Sequence, residues 1–132
     1  MTDDPCICIS LRKASRRLTG AYDEVLAPLG ISLAQFSLLR NIDRHGPVSL
    51  TALGDILELD RSTLGRNVRV LGRLGLAELA GSADKREASV TLSAAGRQKL
   101  AAALPVWRDV QQTINGKLGG QAEQLQALLG AP

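Results

Sequence analysis

The chain has 132 residues, against a usual ~100–200 per domain, and so predicts one domain spanning 1–132. It is 45% hydrophobic and 22% charged, with only Tyr22, Phe36 and Trp107 aromatic; this is ordinary globular usage, which excludes disordered and fibrous chains and disfavours a binder that stacks single-stranded bases. The net charge of +3 is concentrated in residues 59–86, where six basic side chains face three acidic ones, while residues 1–58 carry six against seven and 87–132 four against three. A local basic excess of this kind points to a polyanion partner.

The start, Met1-Thr2-Asp3-Asp4-Pro5, has neither the basic nor the apolar segment of a signal peptide, and no apolar run approaches the ~18 residues of a membrane span. Cys6 and Cys8 are the only cysteines, and a bridge between such near neighbours would be strained. The expectation is a cytoplasmic, reduced protein without a membrane partner.

The first helix is expected from Cys6 or Ile7 to Leu26. Ile7, Leu11, Ala14, Leu18, Tyr22, Val25 and Leu29 recur at three- and four-residue steps as one apolar stripe, with Arg12, Lys13, Arg16 and Arg17 off it. Pro28 and Gly30 end it. Ser32 with Gln35 reads as a capping box for a second helix, and Ile31 with Phe36 as its hydrophobic staple. That helix should stop at His45-Gly46-Pro47. Ser49 then caps a short helix from Leu50 to Leu57, and Glu58-Leu59 makes a tight turn.

Asp60 caps a fourth helix from Arg61 to about Leu74, closed by Gly75. Its inner face is expected to hold Leu64, Val68 and Leu71 with Leu74 beside them; Ser62, Arg66, Arg69 and Arg73 project from the other side. Two extended runs follow, Leu76–Ala80 and Glu87–Leu92, the second alternating polar and apolar residues. The loop between them, Gly81-Ser82-Ala83-Asp84-Lys85-Arg86, has a basic tip. Ser93 caps a fifth helix through Leu100, Leu104, Trp107, Val110 and Ile114, in which Pro105 is a point of bending. Gly116, Gly119 and Gly120 precede a last helix with Leu125, Leu128 and Leu129.

This order predicts a mainly α fold with a small β-hairpin wing, a winged helix-turn-helix. A helix that enters a major groove carries short polar side chains and arginines outward from its first turn, and its inner face anchors it. Arginine's planar fork bonds guanine O6 and N7 together, or grips a phosphate. Asp60-Arg61-Ser62-Thr63-Leu64-Gly65-Arg66-Asn67-Val68-Arg69 meets both needs.

The sequence resembles the multiple-antibiotic-resistance regulator (MarR) family of bacterial transcription factors from about Cys6 to Leu129. The matching elements are Ser49–Gly54, Asp60–Asn67, Leu71–Leu76, the wing signature Asp84-Lys85-Arg86, and Leu92–Gly96. Each motif is weak alone; their order and spacing together are specific. The resemblance implies residues 32–92 as a DNA-binding lobe and 1–30 with 93–132 as a helical dimerisation region. It further implies a homodimer on a pseudo-palindromic double-stranded DNA operator, usually as a repressor, released by a small-molecule effector or an oxidant. Apolar residues near both termini, Ile7, Ile9 and Leu11 with Leu125, Leu128 and Leu129, independently ask for a partner surface.

Arg66, Ser62, Thr63 and Asn67 are the candidate base-edge residues, and Arg61, Arg69 and Arg73 join them in the interface, with Arg69 and Arg73 on phosphates. The plain alternatives are a solvated helix face, an inward Asn67, and an Arg73 paired with Glu78. Lys85 and Arg86 are candidate wing contacts and Asp84 their support, against a turn chosen for polarity alone. Cys6 and Cys8 admit three readings. A metal site lacks further ligands, since His45 is the only histidine and sits in a turn.

A redox sensor follows from resemblance to the hydroperoxide-sensing branch, whose reactive cysteine falls at Cys8 and one of whose thiol-orienting tyrosines falls at Tyr22. That branch's second tyrosine falls near Leu33, which cannot bond a thiolate. Buried, unreactive thiols near a dimer interface are the favoured reading. No cofactor is expected. No nucleotide-binding glycine motif, phosphate loop or nucleophile elbow is present, so an enzyme is not expected either. The competing function is a winged-helix protein-interaction module without specific DNA binding.

Overall fold

The computed structural model describes residues 4–81 and 88–130. In chain order the elements are α1 (Ile7–Leu26), a single 3-10 turn (Ala27–Leu29), α2 (Leu33–His45), β1 (Val48–Ser49), α3 (Leu50–Leu57), α4 (Arg61–Arg73), β2 (Ala77–Ala80), β3 (Ser89–Leu92), α5 (Ala94–Lys117) and α6 (Ala122–Leu128). No single helix among the described residues is long and apolar enough to cross a membrane.

Local chemistry sets most of these boundaries. The capping box at α2 is complete: Gln35 N–H donates to Ser32 Oγ at 3.2 Å, and Ser32 N–H donates to Gln35 Oε1 at 2.9 Å. Both staple residues, Ile31 and Phe36, are buried. Serines cap α3 and α5 in the same way, with Ser49 Oγ accepting from Ala52 and Ser93 Oγ from Gly96. Helix α5 continues through Pro105 rather than ending there. The carbonyl four residues earlier loses its helical donor, but Ala101 is exposed and water can satisfy it.

One apolar core joins the elements. Leu26, Phe36, Leu39, Ile42, Leu53, Leu64, Val68, Leu71, Val90 and Leu100 are all buried in it. The sheet is antiparallel in the order β1-β3-β2, with Val90 opposite both Val48 and Leu79. Central β3 follows its alternation, Val90 and Leu92 inward. The sequence reading missed β1, because two residues between Pro47 and a helix cap offer no periodicity. It also began both long strands early: β2 starts at Ala77, not Leu76, and β3 at Ser89. Glu87 lies outside the described residues.

Leu76 instead closes α4. Gly75 takes φ 73°, its N–H donates to the Gly72 carbonyl, and Leu76 N–H donates to the Leu71 carbonyl at 2.9 Å. This six-to-one and five-to-two pairing is a Schellman closure, with Leu71 and Leu76 both buried beneath it. Leu74, expected on the inner face, is 51% exposed. As an αR capping residue it continues the helical path, which carries it about a quarter turn off the stripe of Leu64, Val68 and Leu71.

The same turn is tied to α5. Ser93 N–H donates to the Leu76 carbonyl at 3.1 Å, and Ser93 Oγ–H donates to the Gly75 carbonyl at 2.6 Å. Gly96 permits this approach, since a Cβ there would lie 2.0 Å from the Leu76 carbonyl oxygen. Gly96→Ala should therefore destabilise the protein by about 1–3 kcal/mol through overpacking. Gly72→Ala, with nothing nearer than 4.0 Å, should be neutral or stabilising by up to ~1 kcal/mol. Urea unfolding of both variants checks the pair; equal midpoints would contradict the close contact.

Candidate nucleic-acid interface

Helix α4 begins at a tight turn from α3. Glu58 N–H donates to the Asp55 carbonyl and Leu59 N–H to that of Gly54, with Glu58 held at φ 54°. A non-glycine residue in this region costs roughly 1–2 kcal/mol, a strain the surrounding packing of α3 on α4 must offset. Asp60 then caps α4, its carboxylate accepting from Thr63 N–H at 3.3 Å and from the Ser62 hydroxyl. These hydrogen bonds, the one from Ser62 foremost, lower the Asp60 pKa from 3.8 to about 2.

The helix has two unlike sides. Leu64, Val68 and Leu71 are buried, while Arg61, Ser62, Arg66, Arg69 and Arg73 are exposed. Thr63 and Asn67 are half-buried at the margin, so Asn67 neither points fully inward nor stands free. Arg73 and Glu78 are both exposed. The structure thus brings Ser62, Arg66, Arg69 and Arg73 onto one solvent-facing side of α4, while Arg61, also exposed, lies beside Leu50, Thr51 and Leu59 at the turn from α3. Asp84, Lys85 and Arg86 lie outside the described residues.

The cysteine readings fare differently. Cys6 and Cys8 are exposed within the single chain, so nothing in the chain itself makes them the buried thiols favoured from sequence. The one buried residue of α1, Leu26, lies off the expected stripe, whose Val25 and Leu29 pack partly against the core while its first half stays at the surface. Nor does the chain bring Tyr22 to Cys8. They are 14 positions apart on one straight element, about 21 Å of helical rise, and the Tyr22 hydroxyl donates to Gln111 Oε1 on α5. Burial pushes that hydroxyl's pKa above 10.0. Among the described residues no group of His, Cys, Asp or Glu is arranged to hold a metal ion.

A cleft of ≈ 470 Å³ lies between α1, α2 and α5, its lining including Thr19, Phe36, Arg40, Asn41, Arg44 and Trp107. The Arg40 guanidinium stands 4.5 Å from the Trp107 ring centroid, and Trp107 stacks on Phe36 at 5.4 Å. Only the crossing of α5 over α2 sets Trp107 beside them.

A helix anchored by its apolar underside, presenting arginines outward and preceded by a shorter helix across a tight turn, defines a winged helix-turn-helix DNA-binding protein. The MarR family model matches residues 29–87. The Mycobacterium tuberculosis transcriptional regulator MosR in complex with DNA is 35% identical, with 96% of this chain and 94% of that chain covered at a TM-score of 0.84. A second MosR structure is 32% identical, covering 98% and 96%, at 0.83. The Staphylococcus aureus MepR–DNA complex is 20% identical, covering 96% of each chain at 0.84, a likeness of fold. No curated protein sequence matches. The chain belongs to the MarR family and is a DNA-binding transcription regulator, not an enzyme.

The Asp60 cap gives a pH signature. Its folded pKa lies below the ordinary value, so its contribution to stability is fully present above about 3.8 and disappears as pH falls through about 2. Wild type and Asp60→Asn should differ in melting temperature at neutral pH and converge across that acid window. A constant difference down to pH 2 would contradict the charged cap.

Proposed function

We propose that this chain binds a pseudo-palindromic operator as a homodimer and acts as a repressor that a small molecule or an oxidant releases. The observation that carries the DNA contact is the exposed Arg66 and Arg69 side of α4 above buried Leu64, Val68 and Leu71. The DNA in the structure of a relative 35% identical supports the same partner. Residues 32–92 form the DNA-binding lobe, with Ser62, Thr63, Arg66 and Asn67 at base edges and Arg61, Arg69 and Arg73 in the same interface. Lys85 and Arg86, supported by Asp84, belong to the wing contact.

Residues 1–30 and 93–132 form the dimerisation region. Its support is apolar surface with no core to enter: Ile7 is 77% and Leu128 84% exposed, with Ile9, Leu11, Leu125 and Leu129 also exposed. A symmetric second copy covers such surface most simply. Two recognition helices then enter successive major grooves about 34 Å apart. Release works through unequal affinity of two dimer conformations for the operator. The cleft beside Trp107 suits a small-molecule signal, and the exposed Cys8 and Cys6 suit an oxidative one.

Operator binding measured against salt concentration tests this reading. Arg66→Ala should lose about 1–3 kcal/mol on the specific duplex and little on random DNA. Arg73→Ala should weaken both alike and lower the salt slope by about 1. Peroxide should release wild type and spare Cys8→Ser if oxidation is the signal; release of both alike removes Cys8 from the mechanism. Salt-independent or absent duplex binding would favour a protein-interaction module instead.

A further inference from the structure

We infer that Ser62, oriented by Asp60, is a hydrogen-bond acceptor at the start of α4 that selects adenine or cytosine on the strand it meets and rejects guanine or thymine. The inference rests on the DNA reading of α4 and adds the polarity of one contact. A serine hydroxyl owns a single proton and two lone pairs. Ser62 is exposed, and its proton is already donated to Asp60 Oδ2. What remains to face outward is lone pairs.

Asp60 is itself an acceptor only, because an ionised carboxylate has no proton to give. It also changes what this helix end can sit on. The free N–H groups of a helix N-terminus ordinarily attract phosphate. Here the Thr63 N–H is taken by Asp60, and the carboxylate's charge repels a phosphate oxygen. The Asp60 and Ser62 side of the first turn is therefore poorly matched to phosphate, a contact left to arginines such as Arg61, and well matched to donors on base edges.

In the major groove those donors are adenine N6 and cytosine N4, whereas guanine O6 and N7 and thymine O4 are acceptors. Every base pair carries one amine there, so the contact distinguishes which strand carries it. Arg66 follows four residues after Ser62, about 6 Å along the helix, and supplies donors suited to guanine. Stacked bases are spaced about 3.4 Å apart on a strand. Each half-site should thus place adenine or cytosine one or two steps from a guanine.

Selection of bound duplexes from a random pool, with wild type, Ser62→Ala and Asp60→Gly, tests this. Wild type should prefer adenine or cytosine over guanine or thymine roughly tenfold at one position per half-site. Ser62→Ala, an exposed change that leaves the core intact, should flatten that position and leave the rest of the site and the salt slope unchanged. Asp60→Gly keeps a tolerated capping residue and frees the Ser62 proton, so guanine and thymine should become acceptable there and random-duplex affinity should rise. If Ser62→Ala selects the same sequences as wild type, or flattens a position where wild type preferred guanine or thymine, the acceptor assignment is overturned while DNA binding stands. If wild type enriches no duplex, the DNA reading itself falls and takes the assignment with it. Should Asp60→Gly fail to fold, the Ser62→Ala comparison decides alone.

Discussion

Everything the interface does depends on α4 being held from one side only. Leu64, Val68 and Leu71 are buried to the point of near-zero exposure. At about 1.5–3 kcal/mol for each fully buried aliphatic side chain, three of them outweigh any preference the polar face could express, since exposed ion pairs contribute only about 0–1 kcal/mol each. Turning the helix over would also place guanidinium groups in the core, at several kcal/mol per unpaired charge. The apolar stripe therefore fixes which side faces solvent, and the arginines follow.

The far end of α4 is coupled to the long helix α5. The Schellman closure at Gly75, the two Ser93 hydrogen bonds and the close approach at Gly96 supply this coupling within one short span. At the other end, Asp60 fixes the first turn and commits the Ser62 hydroxyl. Both ends of α4 are thus held by local hydrogen bonds, the first by the Asp60 carboxylate and the last by the Schellman closure and Ser93.

Elements with dense local signals were legible in the sequence. The capping box at Ser32, the serine caps at Ser49 and Ser93, the Asp60 cap and the alternation in β3 all act within a few residues, so spacing alone reveals them. The exposed face of α4 was legible for the same reason, because helical periodicity separates Leu64, Val68 and Leu71 from Arg66 and Arg69. What escaped depends on contacts distant along the chain. Strand β1 exists only because β3 pairs with it. The Arg40–Trp107 contact needs α5 to cross α2. Cys6 and Cys8 were expected to be buried, yet burial of the first half of α1 requires a surface that a single chain does not provide.

Arginine-selective chemical labelling, read residue by residue in the free protein and in its complex with a selected duplex, probes the orientation of α4 most directly. The account predicts that Arg66 and Arg69 label readily in the free protein and are protected on the duplex, while Arg12 and Arg16 on α1 are unchanged. Arg66 and Arg69 resistant to reagent in the free protein, or equally reactive with and without DNA, would contradict it.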